Sequence, residues 1–155
     1  MRVRACVGRY MFAQDPLKGL REDYGAPNFF ADRSRYGYSR EERAETALFY
    51  VGPAGSGVNF HQHTNAWNAL FYGRKRWFLF PPYTIFGPTA LPMKEWHRTF
   101  YPQLKDVAVE CVQEAGEMLY APTNWYHGIL NLEPSVGIAV EIGANEQLLE
   151  RLLGQ

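Results

Sequence analysis

From Leu48 onward glycine and proline cut the chain into short runs, and this punctuation constrains the fold more than any other feature. The runs suit strands and are too brief for the long amphipathic helices that could build a core. Residues 48–51 precede the loop Gly52-Pro53-Ala54-Gly55-Ser56-Gly57, and residues 58–63 lead into 66–72. Gly73-Arg74 then turns the chain into 75–80, closed by Pro81-Pro82, which predicts a hairpin. Residues 107–113, 117–121, 128–132 and 136–142 supply further strands, with turns at Ala115-Gly116 and Glu133-Pro134-Ser135. The pattern predicts an all-β sandwich or barrel.

Three segments stand outside it. Residues 1–47 lack periodicity and read as an irregular lead-in that covers one face of the barrel. Residues 83–105 read as an irregular excursion packed down by Trp96, Phe100 and Tyr101. Residues 145–153 read as a short C-terminal helix, capped by Asn145 and striped with Leu148, Leu149, Leu152 and Leu153. A single domain over 1–155, with its barrel core at 48–143, suits a chain of this length.

Charge narrows the partners. The 16 basic and 16 acidic residues balance without a long block of either sign, which argues against bulk electrostatic binding of nucleic acid or of an anionic membrane. Cys6 and Cys111 are the only cysteines, too few for a disulfide framework or a thiolate zinc cluster. No run reaches the roughly 18 apolar residues that a bilayer crossing needs, and the first residues lack a secretory apolar stretch. A cytosolic or nuclear protein is expected, or one of the endoplasmic-reticulum lumen if a leader has been removed.

The chemistry concentrates in histidines. His61 and His63 stand two apart in a β-type run, so both imidazoles can leave the same face. Alone, such a pair fits a packed or surface pair as well as a metal site. His127 starts a later apolar strand beside Trp125 and Tyr126, and three imidazoles from two distant stretches make a tripod with positions left for exchangeable ligands. His97, in the excursion, has no such partners and reads as structural or exposed. In the hairpin, Asn68 stands among apolar groups, and Lys75 shares a face with Trp77 and Leu79. That lysine is either an inward ammonium in need of a carboxylate or a solvated turn residue between two arginines.

Several ordered motifs resemble the JmjC (jumonji C) domain family: residues 55–63, Trp67-Asn68-Ala69-Leu70, residues 73–82, Gly116-Glu117, residues 122–127 and Leu130-Asn131-Leu132. The likeness runs from about Tyr10 to Ile142, and within the family it is similar to the lysyl-hydroxylase-like group and to an endoplasmic-reticulum relative whose metal motif also reads H-x-H. It implies a cupin-like double-stranded β-helix, that is, a jelly-roll barrel, and Fe(II)- and 2-oxoglutarate-dependent dioxygenase chemistry that hydroxylates or demethylates a protein side chain. It implies further that His61 and His127 are metal ligands, that His63 holds the slot of the acidic ligand, and that Lys75 and Tyr10 meet the distal carboxylate of 2-oxoglutarate with Asn68 nearby. Ala139 and Val58 replace hydroxyl-bearing residues of the hydroxylase-like members, each worth at most one hydrogen bond, roughly 0.5–1.5 kcal/mol. A neutral imidazole at 63 leaves the ion more cationic and suits zinc or copper as well as iron. The alternatives are therefore a catalytically inactive metal-binding scaffold for protein interaction and a zinc-dependent cupin enzyme.

Overall fold

The computed structural model describes residues 11–14 and 43–144. Their strands are β1 (Met11–Gln14), β2 (Arg43–Gly52), β3 (Gly57–His61), β4 (Asn65–Tyr72), β5 (Arg74–Phe80), β6 (Val109–Glu114), β7 (Met118–Ala121), β8 (Tyr126–Asn131) and β9 (Ser135–Ala144). Two short helices, α1 (Met93–Thr99) and α2 (Tyr101–Leu104), lie between β5 and β6. A five-stranded sheet in the order β1-β2-β9-β4-β7 faces a four-stranded sheet in the order β3-β8-β5-β6, and every pairing is antiparallel. This is the double-stranded β-helix that the family resemblance implies, but the hairpin predicted from 66–72 and 75–80 does not form: β4 pairs with β7 and β9 in one sheet and β5 with β6 and β8 in the other, so Gly73 carries the chain from sheet to sheet. The C-terminal helix expected at 145–153 lies outside the described residues, as does Tyr10.

Alternation along the strands builds the layers. On β5, Phe78 and Phe80 point away from the facing sheet and pack with Phe60, Phe86, Met93, Trp96 and Leu130. Trp77 and Leu79, on the other face, pack with Ile129 between the sheets. On β9, Ile138, Val140 and Ile142 join Ala47 and Trp67 in a third cluster, leaving Ala139 and Glu141 to face the barrel interior.

The segment expected to be an irregular excursion is partly helical, because α1 is held by its packing. Met93 and Trp96, three apart, bury one stripe, Glu95 lies in the first turn, and His97 and Arg98 lie in the last. Trp96 is fully buried and its Nε1 donates to the Phe86 carbonyl at 2.8 Å. Gly128 admits the helix: a Cβ there would stand 2.6 Å from the Met93 sulfur. The lead-in also differs from its reading, since residues 11–14 pair with β2, and β2 begins at Arg43, before Leu48. Pairing with β9 extends β2 through residues whose own pattern carries little strand signal.

At one end the sheets are tied by Gln113, which is buried. Its amide donates to the carbonyls of Asn68 and Glu117, each at 3.0 Å, and its oxygen accepts the Trp77 indole N–H at 2.9 Å. Among the described residues no helix is long and apolar enough to cross a membrane.

Candidate metal centre

His61 and His127 meet because they are register partners across the β3–β8 pair. The four residues from Val58 to His61 on β3 stand against only three, Ile129 to His127, on β8. Such a bulge re-aims side chains. Here it sends Phe60 into the aromatic layer and His61 into the barrel. The ring centroids of His61 and His127 are 4.2 Å apart.

His63 arrives by a different route from the one its spacing suggests. Strand β3 ends at His61, so His63 lies in the connection to β4, where its carbonyl accepts the Asn124 N–H at 2.9 Å. Its ring centroid is 5.4 Å from that of His61 and 4.6 Å from that of His127. One nitrogen of each of the three rings lies within 4.8 Å of the other two.

The tautomers follow from the hydrogen bonds. Nδ1 of His61 stands 2.8 Å from the Asn59 carbonyl oxygen, Nδ1 of His63 stands 2.6 Å from that of Thr64, and Nδ1 of His127 stands 3.0 Å from that of Trp125. A carbonyl oxygen only accepts, so each Nδ1 carries the proton and each Nε2 presents a lone pair. The Nε2 atoms of His63 and His127 face each other at 3.0 Å. Lone pairs so close repel unless a cation lies between them, and backbone bonds to the remote nitrogen are what orients imidazole ligands. Burial first, and then the nearby His61, hold His127 down to about 3, and burial lowers His61 as well. Both rings are thereby kept as neutral bases suited to a divalent ion.

The tripod lies in a cavity of about 520 Å³ lined chiefly by apolar side chains, among them Val58, Trp77, Leu119 and Ile129. Asn68 lines it too and is buried, with its side-chain oxygen accepting the Tyr50 hydroxyl at 2.8 Å. Lys75 is fully buried, which settles its orientation, yet it is absent from the cavity wall. Its Nζ lies 3.3 Å from the centroid of the Tyr50 ring, and Tyr50 is the wall at that point. Desolvation lowers the ammonium to about 6. Tyr50 crosses β9 at Gly137, where a Cβ would stand 2.1 Å from the phenolic oxygen.

Tyr50 and Glu141 were not picked out in the sequence. Glu141 lines the cavity, with a carboxylate oxygen 3.9 Å from Nε2 of His63. Parity held the signal for it: position 141 shares a strand face with Ala139, which stands where the hydroxylase-like members carry a hydroxyl-bearing residue. His97 is remote from the tripod and stacks on Tyr101 at 4.9 Å in the helix layer.

A model of the cupin-like domain family matches residues 12–142. The chain is 34% identical over 150 residues to the arginine-specific demethylase JMJ22 of Arabidopsis thaliana, covering 86% of this chain and 30% of that protein. It is 44% identical over 99 residues to human JmjC domain-containing protein 8, covering 61% of this chain and 37% of the relative. With the bifunctional arginine demethylase and lysyl-hydroxylase psr-1 of Caenorhabditis elegans it shares 31% identity over 141 residues, covering 78% and 35%. The chain thus spans well under half the length of these curated relatives. Among solved structures, the ribosomal oxygenase YcfD of Escherichia coli matches in fold with a TM-score of 0.52 at 17% identity, covering 76% of this chain and 29% of that one.

Proposed function

Because the chain belongs to the JmjC proteins of the cupin-like domain family, we propose that it is an Fe(II)- and 2-oxoglutarate-dependent dioxygenase that hydroxylates or demethylates a protein side chain. The observation that carries this reading is the convergence of three imidazole lone pairs on one point of an apolar cavity. Relatives named as demethylases and hydroxylases support the class of reaction.

The residues fit a divalent ion, since each of His61, His63 and His127 offers one nitrogen and the backbone fixes all three rings. Bound iron with a 2-oxo acid supplies oxidation by dioxygen, which no side chain can perform alone. The chain's own contribution is positional. Trp77, Leu119 and Ile129 keep bulk water from the ion, and Asn68 offers an amide to the cosubstrate on the same wall. At about 520 Å³ the cavity falls within the usual range of small-ligand sites, roughly 300–1,000 Å³. Lys75 is the cation for the distal carboxylate of 2-oxoglutarate, and it becomes available when the Tyr50 ring swings off it. Tyr10 is assigned to the same carboxylate by family resemblance.

A protein substrate suits the rim. A groove of about 620 Å³ beside the tripod is lined by Gln62, which stands between two of the histidines, and by Tyr83, Ile85 and Asn124. Tyr83 and Ile85 are almost wholly exposed.

Calorimetric titration of 2-oxoglutarate into the protein with Mn(II) in place of iron tests the proposal, followed by measurement of succinate formed with Fe(II). Saturable binding and turnover are expected. Intact metal binding without any 2-oxoglutarate binding would replace the enzyme by the second reading, a metal-binding scaffold. The observation in favour of that reading is the Tyr50 ring lying over Lys75.

A further inference from the structure

We propose that Glu141 is the acidic ligand of the metal centre, supplying from β9 the carboxylate that position 63 lacks. The inference rests on the reading of His61, His63 and His127 as a metal tripod and adds to it a fourth protein ligand, one that holds its position before the 2-oxo acid binds and gives it up afterwards.

Geometry comes first. Glu141 is opposite Ala66 of β4, and Ala66 is opposite Ala121 of β7, so the three stand in one row of the sheet. All three line the cavity. On the β4 side the two alanines put nothing larger than a methyl group beside the carboxylate, while on the β2 side its neighbour in the row is Thr46. One of its oxygens is 3.9 Å from Nε2 of His63, the nitrogen that faces His127. Ligands held at about 2.1 Å from one ion are at most about 4.2 Å from each other, so this separation is one that a shared ion spans. The carboxylate lies outside the tighter group formed by the three imidazoles, and a small rotation toward them brings it to the ion.

Charge points the same way. A divalent ion held by three neutral imidazoles keeps both positive charges inside a wall made mostly of apolar groups, an expensive arrangement without a counter-charge. Among the described residues that line the cavity, Glu141 is the one acid. Its ion-pair neighbour among the described residues is His63 itself, so the carboxylate is not engaged in tying the fold together elsewhere. A carboxylate from β9 leaves the centre with one net positive charge, as two histidines and an acid would, and favours harder ions such as Mn(II) and Fe(II) over a site of imidazoles alone.

The test uses the whole chain, stripped with chelator and titrated calorimetrically with Mn(II), alongside E141Q, H127A and the double variant H63D/E141Q. Melting without metal checks that each variant folds. E141Q should bind Mn(II) about tenfold or more weakly than the natural protein. H127A should lose binding, and the double variant, with the acid returned to position 63, should recover most of the affinity lost in E141Q. The absorption spectrum of bound Co(II) should also differ between E141Q and the natural chain. Unchanged Mn(II) affinity and Co(II) spectrum in E141Q, with binding lost in H127A, overturn the assignment of Glu141 and leave the tripod standing. Equal Mn(II) binding in the natural chain and H127A, or none in either, overturns the tripod and the inference together.

Discussion

Tyr50 offers the sharpest test of how the cavity admits a cosubstrate. Its ring covers the Lys75 ammonium at 3.3 Å and its hydroxyl donates to Asn68 at 2.8 Å. A carboxylate that pairs with Lys75 must displace both contacts. Because desolvation holds Lys75 to about 6, its ammonium is charged in the free protein only below that pH, and there a desolvated cation–π contact is worth about 2 kcal/mol, and a neutral hydrogen bond adds about 1 kcal/mol. Below that pH, binding of 2-oxoglutarate therefore carries a penalty of about 3 kcal/mol, which Tyr50→Leu removes. At about 1.4 kcal/mol per decade, Tyr50→Leu should bind 2-oxoglutarate about a hundredfold more tightly, and Tyr50→Phe, which loses only the hydroxyl, about fivefold. Calorimetry with Mn(II)-loaded protein measures both, and thermal melting confirms that the variants remain folded. Affinity that is unchanged or weaker in Tyr50→Leu refutes the idea that the ring blocks Lys75. A Lys75→Met variant that binds 2-oxoglutarate as tightly as the natural protein refutes Lys75 as the anchor.

Other consequences can be checked on stability. Lys75 has its folded-state pKa lowered from 10.5 to about 6, so between these values the unfolded chain binds more protons than the native one, and stability rises with pH across that window. Urea melts should show this rising limb, and Lys75→Met should flatten it. Gly137→Ala would place a Cβ 2.1 Å from the Tyr50 oxygen and 2.3 Å from the Ala69 carbonyl oxygen. Because one of these neighbours is backbone, the substitution should cost about 1–3 kcal/mol in a denaturant melt, and Tyr50→Phe should not fully rescue it. Trp96→Ala should cost about 3–5 kcal/mol in the same assay, since it empties the centre of the aromatic layer behind β8.

Much of the barrel could be read from the chain because strands leave a period of two and turns leave glycine and proline. Lys75, Trp77 and Leu79 face inward as their parity requires, while Phe78 and Phe80 face the helices. What escaped the reading depends on partners distant in sequence. Helix α1 is only seven residues long and is held by Trp96 and Met93 against β-strand aromatics, so its own pattern is too brief to declare it. His63 reaches the other two rings from a loop anchored through Asn124, which no periodicity of residues 58–63 could convey. Lys75 was expected at the cavity wall, and only the pairing of Tyr50 with Gly137, across β2 and β9, explains the ring that intervenes. Glu141 carried a parity signal, but its meaning depended on knowing which strand faces the histidines.

Among the described residues strand β3 forms one margin of the four-stranded sheet, bonded to β8 on one side only, and its last residue is His61. Margins of sheets are where a ladder frays first. An ion gripping His61 and its cross-strand mate would act as a rivet through that seam, so that filling the centre and sealing the barrel's rim become one event. Amide protons along 57–61 would then exchange more slowly in the loaded protein than in the stripped one, while those of β5, flanked by β6 and β8, would keep their pace.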